Sequence, residues 1–385
     1  MDTYDVAVVG AGPAGAVAAG FLAAEGARVV LVEKSSLPRR KVCGGGLVRR
    51  AAAMLPTDIA TVVERKCSRV ELTIGSRPLR FLATRQEPVI LMVERERFDY
   101  LLVRKARRQG ADIRSSCTVR GLRPGAGHVD LETSRGGIRA GFVVAADGAL
   151  SKVAGLAGWQ DTRRMAVAVE CTLPMAACRL KRFSHAAGFD FGAMPGGYGW
   201  RFPKKNRLGI GVVSMLPRPI NLKGTLRRYM ELLGLGNQEG CSLRAGLIPV
   251  SPRTDGFVKG RVLLTGDAAG LADPLTAEGL SHAVSSGRLA AEALLETGFE
   301  PQHIRRIYHL KLKARILDEL KIARFFANLI FFHPRITNML FSLWGQDFVE
   351  GVTDIACGRT TYRILFRNPM NYIRLFGTRA AANFR

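Results

Sequence analysis

A cysteine followed at once by three glycines is the first place along the chain where side-chain and backbone chemistry coincide. The segment reads Lys41-Val42-Cys43-Gly44-Gly45-Gly46-Leu47. Consecutive glycines let a backbone lie flat against a planar ring. A free thiol, titrating near pH ~8.5 in water, can act as an acid at neutral pH. Cys43 is therefore a candidate proton donor, set against the ordinary reading of a lone cysteine as a small buried hydrophobe. A second group lies in Pro195-Gly196-Gly197-Tyr198-Gly199-Trp200-Arg201-Phe202-Pro203-Lys204. Tyr198, Trp200 and Phe202 alternate at spacing two, which puts them on one face of a strand. Such a face packs a core or lines an apolar tunnel, and the slim glycine backbone favours the tunnel. Tyr198 and Trp200 are candidate catalytic residues, and all three are candidate substrate contacts. Three acids complete the set. Glu33, Asp147 and Asp267 each close an apolar, β-rich run next to glycine or at a strand end.

These side chains need a frame. Tyr4 to Val9 reads as a buried strand of a parallel sheet, ending in Gly10-Ala11-Gly12-Pro13-Ala14-Gly15. An alanine-rich helix then runs to about Glu25, and Val29 to Val32 forms a second strand closed by Glu33. In this order Gly10 permits the tight turn, Gly12 lets backbone amides approach a pyrophosphate, and Gly15 lets helix and strand pack closely. The helix N-terminus supplies free N–H groups and partial positive charge. Glu33 suits a ribose without a 2′-phosphate. Phe142 to Gly148 and Val262 to Gly270 are further strands ending in Asp147-Gly148 and Gly266-Asp267. The second is followed by Asp273-Pro274 and Glu278-Gly279-Leu280. Leu280, Ala283, Val284, Gly287, Ala291 and Leu294 make one apolar helical stripe.

The Asp-Gly and Gly-Asp segments resemble the fingerprints of the para-hydroxybenzoate hydroxylase superfamily of flavoproteins. That resemblance implies FAD, with Asp267 on its ribityl chain, Asp147 near the pyrophosphate and the helix after Gly279 aimed at the flavin. The Cys-Gly-Gly-Gly loop and the Tyr-x-Trp-x-Phe-Pro strand together resemble signatures of the geranylgeranyl reductase family, over residues 4 to about 345. Arg97-Phe98-Asp99 resembles that family's helix start near the flavin. The implied cofactor contacts are Gly10, Gly12, Pro13, Ala14, Gly15, Glu33, Lys34, Cys43, Gly44, Gly45, Arg97, Asp147, Gly148, Gly266, Asp267, Pro274, Gly279 and Leu280. Lys205-Asn206, and the irregular basic stretch from Leu173 to Phe191, depart from the family pattern on the substrate side.

The expected fold class is α/β: a Rossmann-type FAD-binding domain, a β-sheet-rich substrate domain and a C-terminal helical region. The FAD domain is expected to be discontinuous, over 1–65, 93–160 and 255–300. Residues 66–92 and 161–254 form the substrate domain, and 301–385 the helical, basic region. A helix is expected from 301 to about 331, on the stripe Tyr308, Leu312, Ile316, Leu320, Ala323, Ala327 and Ile330, with Pro334 ending it.

The 385 residues carry 57 Lys and Arg against 32 Asp and Glu, a formal charge of +25. That excess favours an anionic partner. No nucleic-acid-reading module is visible, so nucleic acid is not expected. Arg359, Arg363 and Arg367 recur every four residues among aliphatic and aromatic side chains, as on an interfacial helix at an anionic membrane. Seven scattered cysteines without a Cys-x-x-Cys pair support neither a disulfide framework nor a metal site. With no leader-like start and no long apolar run, a cytoplasmic protein peripheral on the inner membrane face is expected. The resemblance implies a reductase that saturates C=C bonds of a geranylgeranyl or menaquinone-type lipid. Electrons would come from NAD(P)H visiting the same site, or from a reduced carrier protein such as ferredoxin. The alternatives are an FAD monooxygenase or halogenase, and a non-catalytic prenyl-binding carrier.

Overall fold

The computed structural model describes residues 1–55, 57–74, 79–236 and 241–367. Its first sheet has eight strands. Strand Asp2–Val9, buried where it meets the glycine loop, pairs in parallel with Gly136–Ala145 on one side and Val29–Val32 on the other. Val262–Leu264 and Asp112–Arg114 extend the parallel set outward. Helix Pro13–Ala24 packs beside it and is crossed by helix Leu280–Glu296. That crossing is close because residue 287 is glycine: a Cβ there would lie 2.2 Å from the Ala14 carbonyl oxygen. All six positions of the expected stripe on helix Leu280–Glu296 are buried.

A second sheet of seven strands runs Arg244–Pro249, Met165–Pro174, Arg207–Ser214, Gly197–Pro203, Ala187–Phe191, Arg69–Ile74 and Leu79–Thr84. It is antiparallel except where Ala187–Phe191 meets Arg69–Ile74. A small sheet of Gly46–Val48, Ile90–Val93 and Val63–Cys67 stands between the two. It carries the exit of the triple-glycine loop from one sheet toward the other.

The C-terminal region differs from expectation in two ways. The helical stripe from Tyr308 to Ile330 is buried throughout, but the run is not a single α-helix. A π-helical turn, Lys313–Leu317, separates Pro301–Leu312 from Asp318–Phe332. Pro334 does follow the helix end, because the residue before a proline is pushed out of the α region; His333 sits at φ −127°, ψ 75°. The same proline then opens the helical run Pro334–Cys357 at its first position, and that run is kinked at Trp344, whose φ −133° and ψ 19° are not helical. Gly358, at φ 74°, ends that helix. Arg359 therefore precedes the short helix Tyr362–Arg367 and does not share a helix face with Arg363. Arg363 turns inward, donating to Glu319 at 2.6 Å. The Arg367 side chain and residues 368–385 lie outside the described residues.

Candidate functional site

One cavity of about 920 Å³ is lined both by the glycine loops of the first sheet and by the inner face of the second. At its polar end Gly10 takes φ +105°, and a Cβ there would meet the Ala146 carbonyl oxygen at 2.4 Å. Gly12 faces nearly open space, with only an Arg39 nitrogen within 4 Å of a Cβ. Helix Pro13–Ala24 starts there without a side-chain cap, so its first N–H groups are open toward the cavity. Gly15 does not line the cavity; a Cβ there would lie 1.9 Å from the Gly10 oxygen, so glycine is required for packing.

Glu33 is buried and accepts from Ala11 N (2.9 Å), Ser35 N (3.1 Å) and Arg39 Nε (2.9 Å). Burial pushes its carboxyl upward, but Arg39 and the two amides outweigh it and hold the group below the usual carboxylate range. Asp147 accepts from Ser151 Oγ at 2.5 Å and Val153 N at 3.0 Å, and Gly148 takes φ +87°. Gly266 takes φ +54°. Asp267 lies beside it, its carboxyl raised by burial against the opposing pull of Lys41, Arg95 and Arg163. Arg163 ties the two loops together, donating to the Asp267 carbonyl at 2.6 Å and the Ala149 carbonyl at 2.7 Å. Gly279 is the N-cap of helix Leu280–Glu296. Before it, Glu278 accepts Ser281 N at 2.7 Å and an Arg50 N–H at 2.9 Å. Lys34, Gly279 and Leu280 line the cavity, while Pro274 is buried behind the Asp273 turn and does not.

Arg97 is a correction. It is exposed and reaches only the Thr61 carbonyl, at 3.4 Å. Arg95 lines the cavity instead, forked onto Asp99 at 2.8 and 2.9 Å. Burial disfavours its charge, but Asp99, with Cys43 nearby, outweighs this and raises its pKa above the usual value.

The triple-glycine loop lies directly on the aromatic strand. A Cβ on Gly44 would come 2.9 Å from Trp200 Nε1 and 3.0 Å from Phe202. Gly45 takes φ +78°, and its Cβ would sit 2.1 Å from the Val93 oxygen. Tyr198, Trp200 and Phe202 all line the cavity and are buried. The Tyr198 hydroxyl donates to the Thr276 carbonyl at 2.5 Å, and burial with Asp273 nearby raises its pKa, so it is a poor acid here. Trp200 Nε1 has no hydrogen-bond partner among the described residues.

Sequence reasoning missed part of this wall. Phe189 and Phe191 come from the neighbouring strand, Phe191 stacks with Tyr198 at 5.5 Å, and Phe331, Phe341 and Phe348 close over it from the C-terminal helices. The spacing of two between Phe189 and Phe191 was the available signal. Glu170 also lines the cavity, and nothing in its sequence context marked it.

The donor set fits a flavin dinucleotide: uncapped helix amides and a carboxylate at the first loop, two further acid–glycine loops, and glycines where a Cβ would obstruct. Residues 3–187 match the FAD binding domain family. The chain is 32% identical over 304 residues to the digeranylgeranylglycerophospholipid reductase of Methanocella arvoryzae, covering 76% of this chain and 77% of that protein. It is 32% identical over 313 residues to the chloroplastic geranylgeranyl diphosphate reductase of Oryza sativa subsp. japonica, covering 75% and 66% respectively. The fold matches a geranylgeranyl bacteriochlorophyll reductase-like protein from Thermoplasma acidophilum with a TM-score of 0.79, over 100% of this chain and 98% of that one, at 23% identity. The cofactor is FAD, and the chain belongs to the geranylgeranyl reductase family of FAD-dependent oxidoreductases.

Proposed function

We propose that this oxidoreductase saturates carbon–carbon double bonds of a polyisoprenoid lipid. The observation that carries the reading is the single cavity whose polar end is built from glycine loops and acids and whose other end is aromatic and aliphatic. Such an end suits an isoprenoid chain and excludes water from it. Gly10, Gly12, Pro13, Ala14 and Glu33 would hold the adenosine diphosphate part of FAD. Asp147, Gly148, Gly266, Asp267, Gly279 and Leu280 would hold the remainder, and Gly44 and Gly45 would offer flat backbone to its ring. When bound and reduced, the flavin supplies hydride. The chain's own task is to place the alkene along Trp200 and Phe202 and to deliver a proton to the neighbouring carbon. Cys43 is the proposed donor, with Arg95 beside its sulfur to stabilise the thiolate left behind. Tyr198 serves as wall, its hydroxyl being committed to Thr276.

The proposed membrane contact is the pair of C-terminal helices over the aromatic wall. Phe325 and Met339 are 64% and 53% exposed on them, and Arg324 and Arg335 on the same helices are exposed too. Among the described residues no helix is long and apolar enough to cross a bilayer. The electron donor is proposed to be NAD(P)H or a reduced carrier protein.

The test is product mass under argon. Dithionite-reduced protein with a geranylgeranyl lipid should yield product two mass units heavier per bond reduced. A product that forms only in air and carries oxygen would replace this reading with a monooxygenase.

A further inference from the structure

Strand Met165–Pro174 sends alternate side chains to opposite faces of the second sheet. Val169, Cys171 and Leu173 pack in the cluster on its far side. Glu170 points the other way and lines the cavity beside the triple-glycine loop. It stands directly across from Gly211, which in turn faces Trp200 on the next strand. A Cβ on Gly211 would lie 2.2 Å from the indole, so that ring covers the glycine and walls Glu170 on one side. Glu170 Oε1 accepts the backbone N–H of Cys43 at 3.0 Å. The carboxyl is thus held against the main chain of the residue that carries the thiol.

Other charged groups lie near Glu170. Burial raises its pKa, and Glu94 adds to this; the Cys43 amide, Lys204 and Arg244 oppose it without cancelling it. Lys204 is buried and pairs with Glu94 at 2.7 Å, and Glu94 is met by Arg207 at 3.5 Å. Glu94 and Arg207 side chains are 30% and 34% exposed, so these two groups meet solvent.

We propose that Glu170 returns a proton to Cys43 after each reduction, and is itself reprotonated from solvent. The inference rests on Cys43 being the acid. In the balanced step the Cys43 S–H bond breaks and a C–H bond forms at one alkene carbon. The other carbon would take a hydride, with its electron pair, from the reduced cofactor, which would stay bound and be oxidised by two electrons. The thiolate, held beside Arg95, then takes the Glu170 carboxyl proton, and the carboxylate is refilled from water. Glu170 acts through Cys43 and is a positioning and relay residue, not a contact of the reacting carbon.

Glu170→Gln tests this, because the amide oxygen still accepts the Cys43 N–H while the acid is lost. The first readout needs no turnover: peptide-resolved iodoacetamide alkylation of the FAD-bound protein across pH ~6–9, with exposed Cys178 as internal control. At the alkaline end of that range, where Glu170 has given up its proton, removing its negative charge should make Cys43 react about threefold faster or more, with Cys178 unchanged. An identical Cys43 profile in both proteins overturns the coupling. The second readout compares the first anaerobic reduction with steady turnover. The variant should keep its first-turnover rate and lose about tenfold or more in steady state, where proton return recurs. Equal steady rates overturn the relay. Full turnover in Cys43→Ala would sink the reading of Cys43 as acid, while the alkylation result would still stand on its own.

Discussion

Cys43 and Glu33 carry opposite kinds of evidence at the scale of single residues. Cys43 was legible as a thiol in a glycine run, and its neighbours were not. Cys43→Ala should keep its bound FAD and visible flavin spectrum yet lose about 10²–10⁴-fold in turnover, the range for a lost general acid. Full activity in that variant would remove the proposed donor. Glu33 was readable from its place at the end of the second strand. Glu33→Gln should weaken FAD binding by about 10- to 100-fold, the loss of one or more charge-assisted hydrogen bonds, as measured by flavin fluorescence on dilution. Its carboxyl is held low in the folded protein. Its contribution to stability is therefore fully present above pH ~4.3, where an unperturbed Glu titrates, and is lost as pH falls through the lower folded value. An acid unfolding midpoint unchanged by Glu33→Gln would contradict that. Arg97 shows where residue reading failed. The helix Arg95–Arg108 buries Arg95, Phe98, Asp99 and Leu102. Position 97 is two residues, roughly 200°, around the helix from 95 and so faces water. The motif's spacing was seen, but the phase of the helix decides which arginine points inward.

The element that most constrains the site is strand Gly197–Pro203, because its two faces do different things. Tyr198, Trp200 and Phe202 face the cavity. On the other face Arg201 lies across Gly188, where a Cβ would come 2.4 Å from the guanidinium, and Tyr229 lies across Gly199 in the same way. Arg201 pairs with Glu71 at 2.7 Å and Asp190 at 2.6 Å, all three buried. Arg201→Leu leaves buried Asp190 without its cation, while Glu71 keeps Arg80 and His185, and should cost about 3–5 kcal/mol in denaturant unfolding. A loss below ~1 kcal/mol would show that the network does not hold the strand. Gly45→Ala should be severe for a different reason: a positive φ and a carbonyl in the way of the new Cβ. The alternation of the strand was visible in sequence. The ion network behind it was not, since Glu71 lies 130 residues before Arg201 and meets it only through sheet register. The C-terminal helices were half legible. Their buried stripe follows from periodicity, whereas the π turn at Lys313–Leu317 leaves no compositional mark.

For the whole molecule, the proposed membrane contact can be tested through the charge of +25 and the exposed Phe325 and Met339. Binding to vesicles containing anionic lipid should fall steeply with salt, and Phe325→Ser with Met339→Ser should weaken it by about tenfold, the scale of one buried apolar side chain. Flotation that ignores both changes would move the contact elsewhere. The order of strands along the chain made the two-sheet architecture readable, but the joining of a polar and an aromatic region into one cavity depends on packing between distant segments. That joining is the central claim, and one measurement addresses it most directly. Protein reduced anaerobically with dithionite is mixed with a geranylgeranyl lipid or, separately, with its fully saturated counterpart, and the flavin absorbance is followed. The account predicts reoxidation with the unsaturated lipid alone, in step with the appearance of saturated bonds. Flavin that stays reduced with both lipids until oxygen is admitted would contradict it.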